Sequence, residues 1–223
     1  YGTDLKLYLN FNDPSNPLKD LSGNNNFVNK SSNTAVICET SSGLKNSGNC
    51  NINNGYINIS TNPSLINGEI TYSIWINPTT IGCSRIINQG WATQNTNNNI
   101  LWISYNDGVC TWQPSGTTSL LFQGNFPTAR YDPGNNFIQV NQWQHIVGTY
   151  SLTPGQSKIY KDGVLLNVSE LPSSTSNSAK GSADWTLLGS SGGSYLNGRV
   201  DNVMFFNRSL TNNEVAQLYN YQK

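Results

Sequence analysis

The chain has 223 residues with 12 Lys and Arg against 12 Asp and Glu, so its formal net charge is zero. Only 11% of the residues are charged, which excludes a basic surface of the kind that binds nucleic acid or anionic membranes. The length allows one large domain with a full core, and no apolar run is long enough for direct membrane insertion.

Short strands separated by turn residues are predicted along the first half of the chain. Residues 4–11 alternate apolar and polar side chains, with Leu5, Leu7 and Leu9 on one face, which predicts a strand with one buried side. Residues 12–26 contain turn signals. Further strands are predicted at residues 34–38, 55–60, 70–77, 85–88 and 100–105, and later at 143–150, 157–161 and 185–189.

Two stretches depart from this simple rhythm. Residues 107–136 combine aromatic residues with Pro and Gly, which predicts a long loop excursion holding one short strand at 119–123. Residues Asp162 and Gly163 form the dipeptide favoured in two-residue hairpin turns, so they predict a hairpin between the flanking strands. The number and spacing of strands indicate a single antiparallel β-sandwich domain over residues 1–223.

The best-defined segment is residues 196–219, which predicts a strand, a turn and a short helix. The strand at 199–207 has apolar residues at both parities, so both of its faces are expected to be covered. Thr211 and Glu214 have the spacing of a capping box, with a hydrophobic staple between Leu210 and Val215. Asp201 is unusual inside a strand and therefore needs a cation or a cluster of backbone N–H groups as its partner.

The four cysteines indicate two disulfides. Cys38 and Cys50 are placed almost symmetrically about a Ser-Gly turn, and Cys83 and Cys110 flank an Asn-rich turn in the same way. The alternative is four buried free thiols, but the even count without a CxxC spacing favours disulfides and therefore an oxidising compartment. The chain has no signal peptide and does not begin with Met, which we interpret as a mature or excised segment of a longer protein.

Four blocks, in order, resemble the laminin G-like (LamG type 3) domains of the concanavalin A-like lectin/glucanase superfamily. They are LYLNFND with DLSGNNN, GYINISTNPSL with ITYSIWINP, WQHIVGTY with KIYKDGVLL, and LLGSS with LNGRVDNVMFFNRSLTNNEVAQLY. The resemblance implies an all-β, two-sheet antiparallel jelly roll with one short C-terminal helix and with its first and last strands paired. The loop excursion at 107–136 is longer than the family core requires.

The same resemblance implies a structural Ca²⁺. In many relatives the Asp of the last-strand motif, here Asp201, binds calcium together with backbone oxygens, which on this chain would lie near Asn12 and Gly48. Calcium prefers oxygen ligands, which agrees with the independent need of Asp201 for a partner. The alternative is an Asp201 that is satisfied by N–H groups of a turn.

The superfamily also includes glycoside hydrolases, which need two carboxylates a few ångströms apart. The glutamates of this chain are not arranged in the Glu-x-Asp-x-Glu runs that related hydrolases use, and the single His145 is more typical of a structural donor than of a base. We therefore expect no enzymatic activity. A single His also excludes the usual zinc sites with several His ligands.

The remaining interpretation is recognition. Sugar sites combine apolar walls with a few polar groups, and the candidate residues are Trp91, Trp112, Arg130 and Tyr131; the alternative is that these aromatic residues pack within the fold. We expect a non-catalytic extracellular module that binds glycan or glycoprotein as part of a larger surface or adhesion protein. The alternative is a structural protein–protein domain of a virion or cell-surface assembly.

Overall fold

The computed structural model describes residues 2–32, 34–60, 67–82, 84–89, 100–105, 118–123, 128–134, 137–152, 156–171, 179–180, 184–189 and 195–223. These residues form short β-strands, two 3₁₀ turns (Gly2–Asp4 and Leu44–Asn46) and one α-helix, α1 (Asn212–Gln222). The strands are β1 (Leu5–Leu9), β2 (Phe27–Lys30), β3 (Val36–Glu39), β4 (Asn49–Ile52), β5 (Ile57–Ser60), β6 (Asn67–Gly68), β7 (Ile70–Pro78), β8 (Ser84–Gln89), β9 (Ile100–Tyr105), β10 (Thr118–Gln123), β11 (Thr128–Gly134), β12 (Gln144–Ser151), β13 (Gln156–Lys161), β14 (Val164–Leu165), β15 (Ser169–Leu171), β16 (Ala179–Lys180), β17 (Asp184–Leu187) and β18 (Gly198–Phe206). No helix in these residues is long and apolar enough to cross a membrane.

The strands pair into two large antiparallel sheets. Sheet 1 has the order β14-β13-β12-β7-β18-β4-β3, with β1 paired to β18 as well, and sheet 2 has the order β15-β11-β10-β9-β8-β17-β5-β2. Strands β6 and β16 form a small separate pair. This arrangement confirms the predicted all-β antiparallel sandwich with one short C-terminal helix, and the pairing of β1 with β18 confirms that the first and last strands are neighbours.

Two hydrophobic clusters hold the layers together. The main cluster contains fully buried side chains from both sheets, including Leu7 and Leu9 from β1 and Ile57 and Ile59 from β5. The second cluster contains residues from sheet 1 and from α1, namely Leu5, Val147, Tyr160, Met204, Phe206, Leu210, Val215 and Leu218. Strand β18 therefore contributes to both clusters, as its apolar residues at both parities predict.

The predicted local signals at the end of the chain are also confirmed. Thr211 is the N-cap of α1, and both hydrogen bonds of the capping box with Glu214 are present. The hairpin between β13 and β14 turns at Asp162 and Gly163, whose φ angles of 51° and 79° are the positive values that a two-residue hairpin turn requires. The helix runs on to Gln222, slightly further than the sequence pattern indicates.

One cysteine prediction is confirmed and the other cannot be compared. Cys38 and Cys50 face each other across the β3–β4 hairpin and form a disulfide. Cys83 and Cys110 lie outside the described residues.

Several strands were not predicted, namely β2, β4 and β11 and the short strands β6, β15 and β16. Residues 107–136 contain β11 in addition to β10, so the interpretation of that region as a loop with one strand is wrong. The Cys38–Cys50 hairpin is completed by β4, whereas the predicted strand at 55–60 belongs to sheet 2. Strand β2 was missed because its pattern is short and its side chains are exposed or only half-buried at the edge of sheet 2.

Candidate functional site

Asp201 lies where β18 changes its partner. On one edge of β18, Val200 pairs with Cys50 of β4, while Val203 pairs with Leu9 of β1. Asp201 and Asn202 occupy the gap between these two partners, and the pairing with β7 on the other edge also shifts register after Asp201. One edge of β18 is thus unpaired at this position, and polar groups of a neighbouring loop can reach the strand there.

The Asp201 carboxylate is fully buried and accepts several hydrogen bonds. Its Oδ2 accepts from Leu44 N at 3.1 Å and from Ser47 Oγ at 3.0 Å, and its Oδ1 accepts from Asn202 N at 2.6 Å. Burial raises the pKa of Asp201 to about 7, and these hydrogen bonds only partly oppose that effect. Within the described residues no Lys or Arg forms an ion pair with it, so its charge has no compensating cation.

Main-chain oxygens gather beside the same carboxylate. A Cβ atom placed on Gly43 would lie 2.5 Å from Gly48 O, 2.7 Å from Ser47 O and 2.9 Å from Asp201 Oδ2, so these oxygens surround one small space. The Gly48 N–H donates to Asn12 Oδ1 at 2.6 Å, which joins the end of the first strand to this loop. The structure therefore brings together the three sequence segments expected around Asp201.

The donor set matches a hard cation. Among the described residues no three His, Cys, Asp or Glu side chains come together, so a metal here would rely on one carboxylate and main-chain oxygens. Calcium accepts such ligands, whereas zinc sites usually need several His or Cys. The turn N–H interpretation of Asp201 is also visible in the bonds from Leu44 and Asn202, and the two interpretations are compatible because a carboxylate has several acceptor positions.

The residues predicted for ligand binding are only partly described. Trp91 and Trp112 lie outside the described residues. Arg130 and Tyr131 are adjacent in β11, so they lie on opposite faces of sheet 2. The Tyr131 ring is half-buried against the main core and contacts Phe137 with 4.9 Å between ring centroids, whereas Arg130 lies on the outer face.

The outer face of sheet 2 carries a set of residues that we call the amide face: Asn29, Asn58, Asn88, Arg85 and Arg130. Asn58 lies between the core residues Ile57 and Ile59 and pairs with Asn29, and the backbone of Thr186 links it to Asn88 in the next strands. Arg85 Nη1 donates to Asn88 Oδ1 at 3.5 Å, while Asn88 Nδ2 is buried without a hydrogen-bond partner in the described residues. Asn58 and Asn88 were not predicted as site residues, because a polar residue within a strand does not reveal its neighbours.

The described carboxylates have mainly structural partners. Glu69 accepts from Ser151 Oγ and Leu152 N, and Glu214 accepts from Thr211 N and Arg208. The Arg208 guanidinium lowers the pKa of Glu214 to about 2. A carboxylic acid held in its ionised form in this way is poorly suited to general acid catalysis.

His145 is a buried residue of β12 that packs against aromatic side chains. It is fully buried, its Nε2 and Ser73 Oγ share a hydrogen bond of 2.8 Å, and its ring stacks on Trp75 with 5.1 Å between centroids. Burial lowers the pKa of His145 to about 3, so the imidazole is neutral at pH 7. This placement matches the structural interpretation of the single His.

Large apolar side chains are exposed on both outer faces of the described sandwich. Phe27 is 65% exposed on the outer side of sheet 2, and Ile37 is 51% exposed on the outer side of sheet 1. Val164 of β14 and Tyr221 of α1 are 64% and 75% exposed.

Comparison with known families identifies the fold. Residues 51–216 match a laminin G-like family model described as the concanavalin A-like lectin/glucanases superfamily. No protein with curated function matches this sequence closely enough to be considered a relative.

Several solved structures share the fold at low sequence identity. One is domain 4 of AbnA, a GH43 extracellular arabinanase from Geobacillus stearothermophilus in complex with arabinotriose, with a TM-score of 0.65, 17% identity and coverage of 97% of this chain and 98% of that one. The receptor binding domain of botulinum neurotoxin C/D mosaic serotype has a TM-score of 0.69, 17% identity and coverage of 98% and 51%. The binding domain of Paraclostridial Mosquitocidal Protein 1 has a TM-score of 0.66, 20% identity and coverage of 98% and 52%. The chain thus spans about half the length of the toxin domains, and the comparisons confirm the predicted jelly roll.

Proposed function

Because the chain belongs to the laminin G-like family of the concanavalin A-like lectin/glucanase superfamily, we propose that it is a non-catalytic module that binds glycans or glycoproteins. The matched domain of the arabinanase, which is similar over nearly its whole length, is in complex with an oligosaccharide, and this supports the proposal. The two toxin domains are binding domains as well.

The amide face is the observation that carries the proposal. It presents polar groups along the outer side of sheet 2, from Asn29 and Asn58 at one end of the sheet to Arg130 near the other. Amides donate and accept hydrogen bonds as sugar hydroxyls do. We propose that Trp91 and Trp112 provide apolar contacts to the glycan.

A glycan array tests the function directly. The wild-type chain is expected to bind a restricted set of oligosaccharides, and Arg130→Ala is expected to weaken that binding by about tenfold because a charged hydrogen-bond donor is removed. Gln217→Ala, on the exposed side of α1, is the matched control that keeps full binding. Absence of binding to every glycan, with a folded chain, would contradict the proposal and favour a structural protein–protein role.

We also propose a structural Ca²⁺ at Asp201. The carboxylate together with the Ser47 and Gly48 carbonyls would hold the ion, and the ion would supply the positive charge that the buried carboxylate lacks. Asn12 would position the loop through its hydrogen bond to Gly48 N. Such an ion would join the end of β1, the β3–β4 loop and β18, so its effect is expected on stability.

Thermal unfolding with and without chelator tests the calcium proposal. Added Ca²⁺ is expected to raise the melting temperature of the wild-type chain, and Asp201→Asn is expected to abolish this response. An equal response in the wild type and the variant, or no response in the wild type, would refute the ion site. Mg²⁺ serves as a control, because it demands stricter octahedral geometry and retains its water.

An extracellular or surface location completes the proposal. The Cys38–Cys50 disulfide supports it, because disulfides persist mainly in oxidising compartments. Detection of the chain in the reduced form within cells would argue against this location.

A further inference from the structure

A separate polar pocket lies on the outer face of sheet 1. It has a volume of about 240 Å³ and is lined by Asn51, Asn77, Thr79, Asn141 and Arg199; we call it the Arg199 pocket. No residue of the amide face lines it, and it is on the opposite side of the sandwich from that face.

Strand register fixes the floor of the pocket. Arg199 of β18 pairs with Asn51 of β4 on one side and with Asn77 of β7 on the other. Val200 and Ile76, the strand neighbours of Arg199 and Asn77, both belong to the main core. Because successive side chains of a strand point to opposite faces, the three polar side chains lie on the outer face of sheet 1. Three adjacent strands therefore hold an amide, a guanidinium and an amide in one row.

The guanidinium of Arg199 has few hydrogen-bond partners within the described residues. Its only hydrogen bond there is a long one, from Nη1 to Ser42 O at 3.4 Å, and it forms no ion pair with a described carboxylate. Asp201, two residues along the same strand face, is buried and accepts from Leu44 and Ser47 instead. An arginine has five N–H donors, so most of them remain available to a ligand.

The other side chains that line the pocket lack side-chain hydrogen bonds within the described residues. The amides of Asn51, Asn77 and Asn141 and the hydroxyl of Thr79 take part in no side-chain hydrogen bond in the part of the chain that the structure describes. The backbone places two of them firmly, because Asn141 N donates to Pro78 O at 2.7 Å and Thr79 N donates to Asn197 O at 2.9 Å. The described residues that line the pocket include no carboxylate.

An aromatic residue stands beside the pocket. Gln144, the first residue of β12, pairs with Ile76, and continuing that register by one residue puts Trp143 opposite Asn77. Trp143 has the same parity as His145, which is on the outer face, and it is half-buried. A partly exposed indole beside polar groups is a suitable surface for the apolar side of a sugar ring.

We propose that the Arg199 pocket binds the carboxylate-bearing ring of an acidic saccharide, the chemistry shared by uronic and sialic acids. Arg199 receives the carboxylate in a fork of two N–H donors, the Asn and Thr side chains bind ring hydroxyls, and Trp143 contacts the ring. The proposal rests on the proposed glycan-binding function and deepens it by naming a ligand class and a second site.

Matched pairs of ligands test the proposal. Titration calorimetry at low ionic strength compares a glucuronate-containing disaccharide with the corresponding glucose disaccharide, and sialyllactose with lactose. In the wild type, at least one acidic member is expected to bind about tenfold or more tightly than its neutral partner, and Arg199→Gln is expected to abolish this preference. Arg199→Lys should retain part of it, since lysine keeps the charge but not the planar fork.

Controls separate the possible failures. Lys158→Gln removes a positive charge from β13, outside the pocket, and should keep the preference; circular dichroism checks that each variant is folded. Equal affinity for acidic and neutral members, persistence of the preference in Arg199→Gln, or displacement of both acidic ligands by equal concentrations of inorganic phosphate would overturn the pocket assignment. If neutral glycans still bind in that case, the proposed function stands, whereas binding of no glycan at all would refute both.

Discussion

Asp201 is a charged residue that the fold can bury only because a loop distant in sequence meets it. The sequence signals the residue, since an Asp inside an apolar strand is out of place. Its partners could not be identified in that way, because Leu44 and Ser47 are more than 150 residues away and come into reach only where β18 changes neighbours. The Arg199 pocket was unpredictable for the same reason, since its floor combines single residues of three strands.

Gly43 is expected to be a sensitive position of this loop. Gly43→Ala would place a methyl group among Gly48 O, Ser47 O and Asp201 Oδ2, so we expect a loss of about 1–3 kcal/mol in the free energy of unfolding. Ca²⁺ should then no longer raise the melting temperature. Ser41→Ala, at an exposed position of the same loop, should change stability by no more than about 0.5 kcal/mol in urea titrations. A Gly43→Ala chain with unchanged stability and calcium response would contradict the close packing of these three oxygens around Gly43.

His145 predicts a specific dependence of stability on pH. Burial lowers its pKa from 6.5 to about 3, and its Nδ1 has no hydrogen-bond partner within the described residues. Below pH 6.5 the unfolded chain binds a proton that the folded chain refuses, so stability should fall by about 1.4 kcal/mol per pH unit as the pH decreases towards 3. Above pH 6.5 this contribution is constant.

The difference between the wild type and His145→Gln isolates this contribution. Asp201, with a pKa raised from 3.8 to about 7, contributes the opposite slope between these values in the ion-free chain, and it is present in both proteins. Urea titrations between pH 4.5 and 7.5 should therefore show a steeper loss of stability in the wild type as the pH falls. Parallel curves for the two proteins would show that His145 becomes protonated without cost in the folded state.

Helix α1 covers part of the outer face of sheet 1. Val215 and Leu218 pack on the second cluster, and Tyr219 stacks on Trp75 with 5.5 Å between ring centroids. Trp75 Nε1 donates to Gln222 Oε1 at 2.8 Å, so the last turn of the helix is also fixed to the sheet. The helix therefore has a structural role, because it shields these residues of sheet 1 from solvent.

The N-cap of α1 should contribute measurably to stability. Thr211→Ala removes the acceptor for Glu214 N and should lower the free energy of unfolding by about 1 kcal/mol. Thr211→Ser keeps the hydroxyl and should stay within a few tenths of a kcal/mol of the wild type. Chemical denaturation followed by tryptophan fluorescence measures both. Equal losses in the two variants would assign the effect to the methyl group of Thr211 and not to the cap.

Local patterns predicted those elements that follow local rules. The strand that begins at Leu5, the Asp162 hairpin and the capped helix each have a strong period or turn signal, and each is present. Strand β11 was not predicted because Pro133 lies within it and proline is rare inside sheets. The sequence therefore showed no sign that β11 pairs with β10 on one side and with β15 on the other. Strand β4, with the sequence NCNI, is too short and polar to show a period.

At the scale of the whole molecule, the Cys38–Cys50 hairpin connects the edge of sheet 1 to its centre. Strand β4 pairs with β18, and the residues between the two cysteines include Gly43, Leu44 and Ser47, which surround Asp201. The disulfide closes this loop with a sequence separation of 12 residues. A covalent bond in the hairpin thus limits the freedom of the loop that receives the buried carboxylate.

Removal of this disulfide should therefore have two effects. The double variant Cys38→Ala/Cys50→Ala should lose about 2–4 kcal/mol of unfolding free energy, because the unfolded chain regains loop entropy. It should also show a smaller rise in melting temperature on addition of Ca²⁺ than the wild type, because the loop must then be ordered when the ion binds. Thr211→Ala, which destabilises the chain through α1, is the control that should keep the full calcium response. If the double variant is destabilised but responds to Ca²⁺ as the wild type does, the disulfide stabilises the fold without positioning the Asp201 loop.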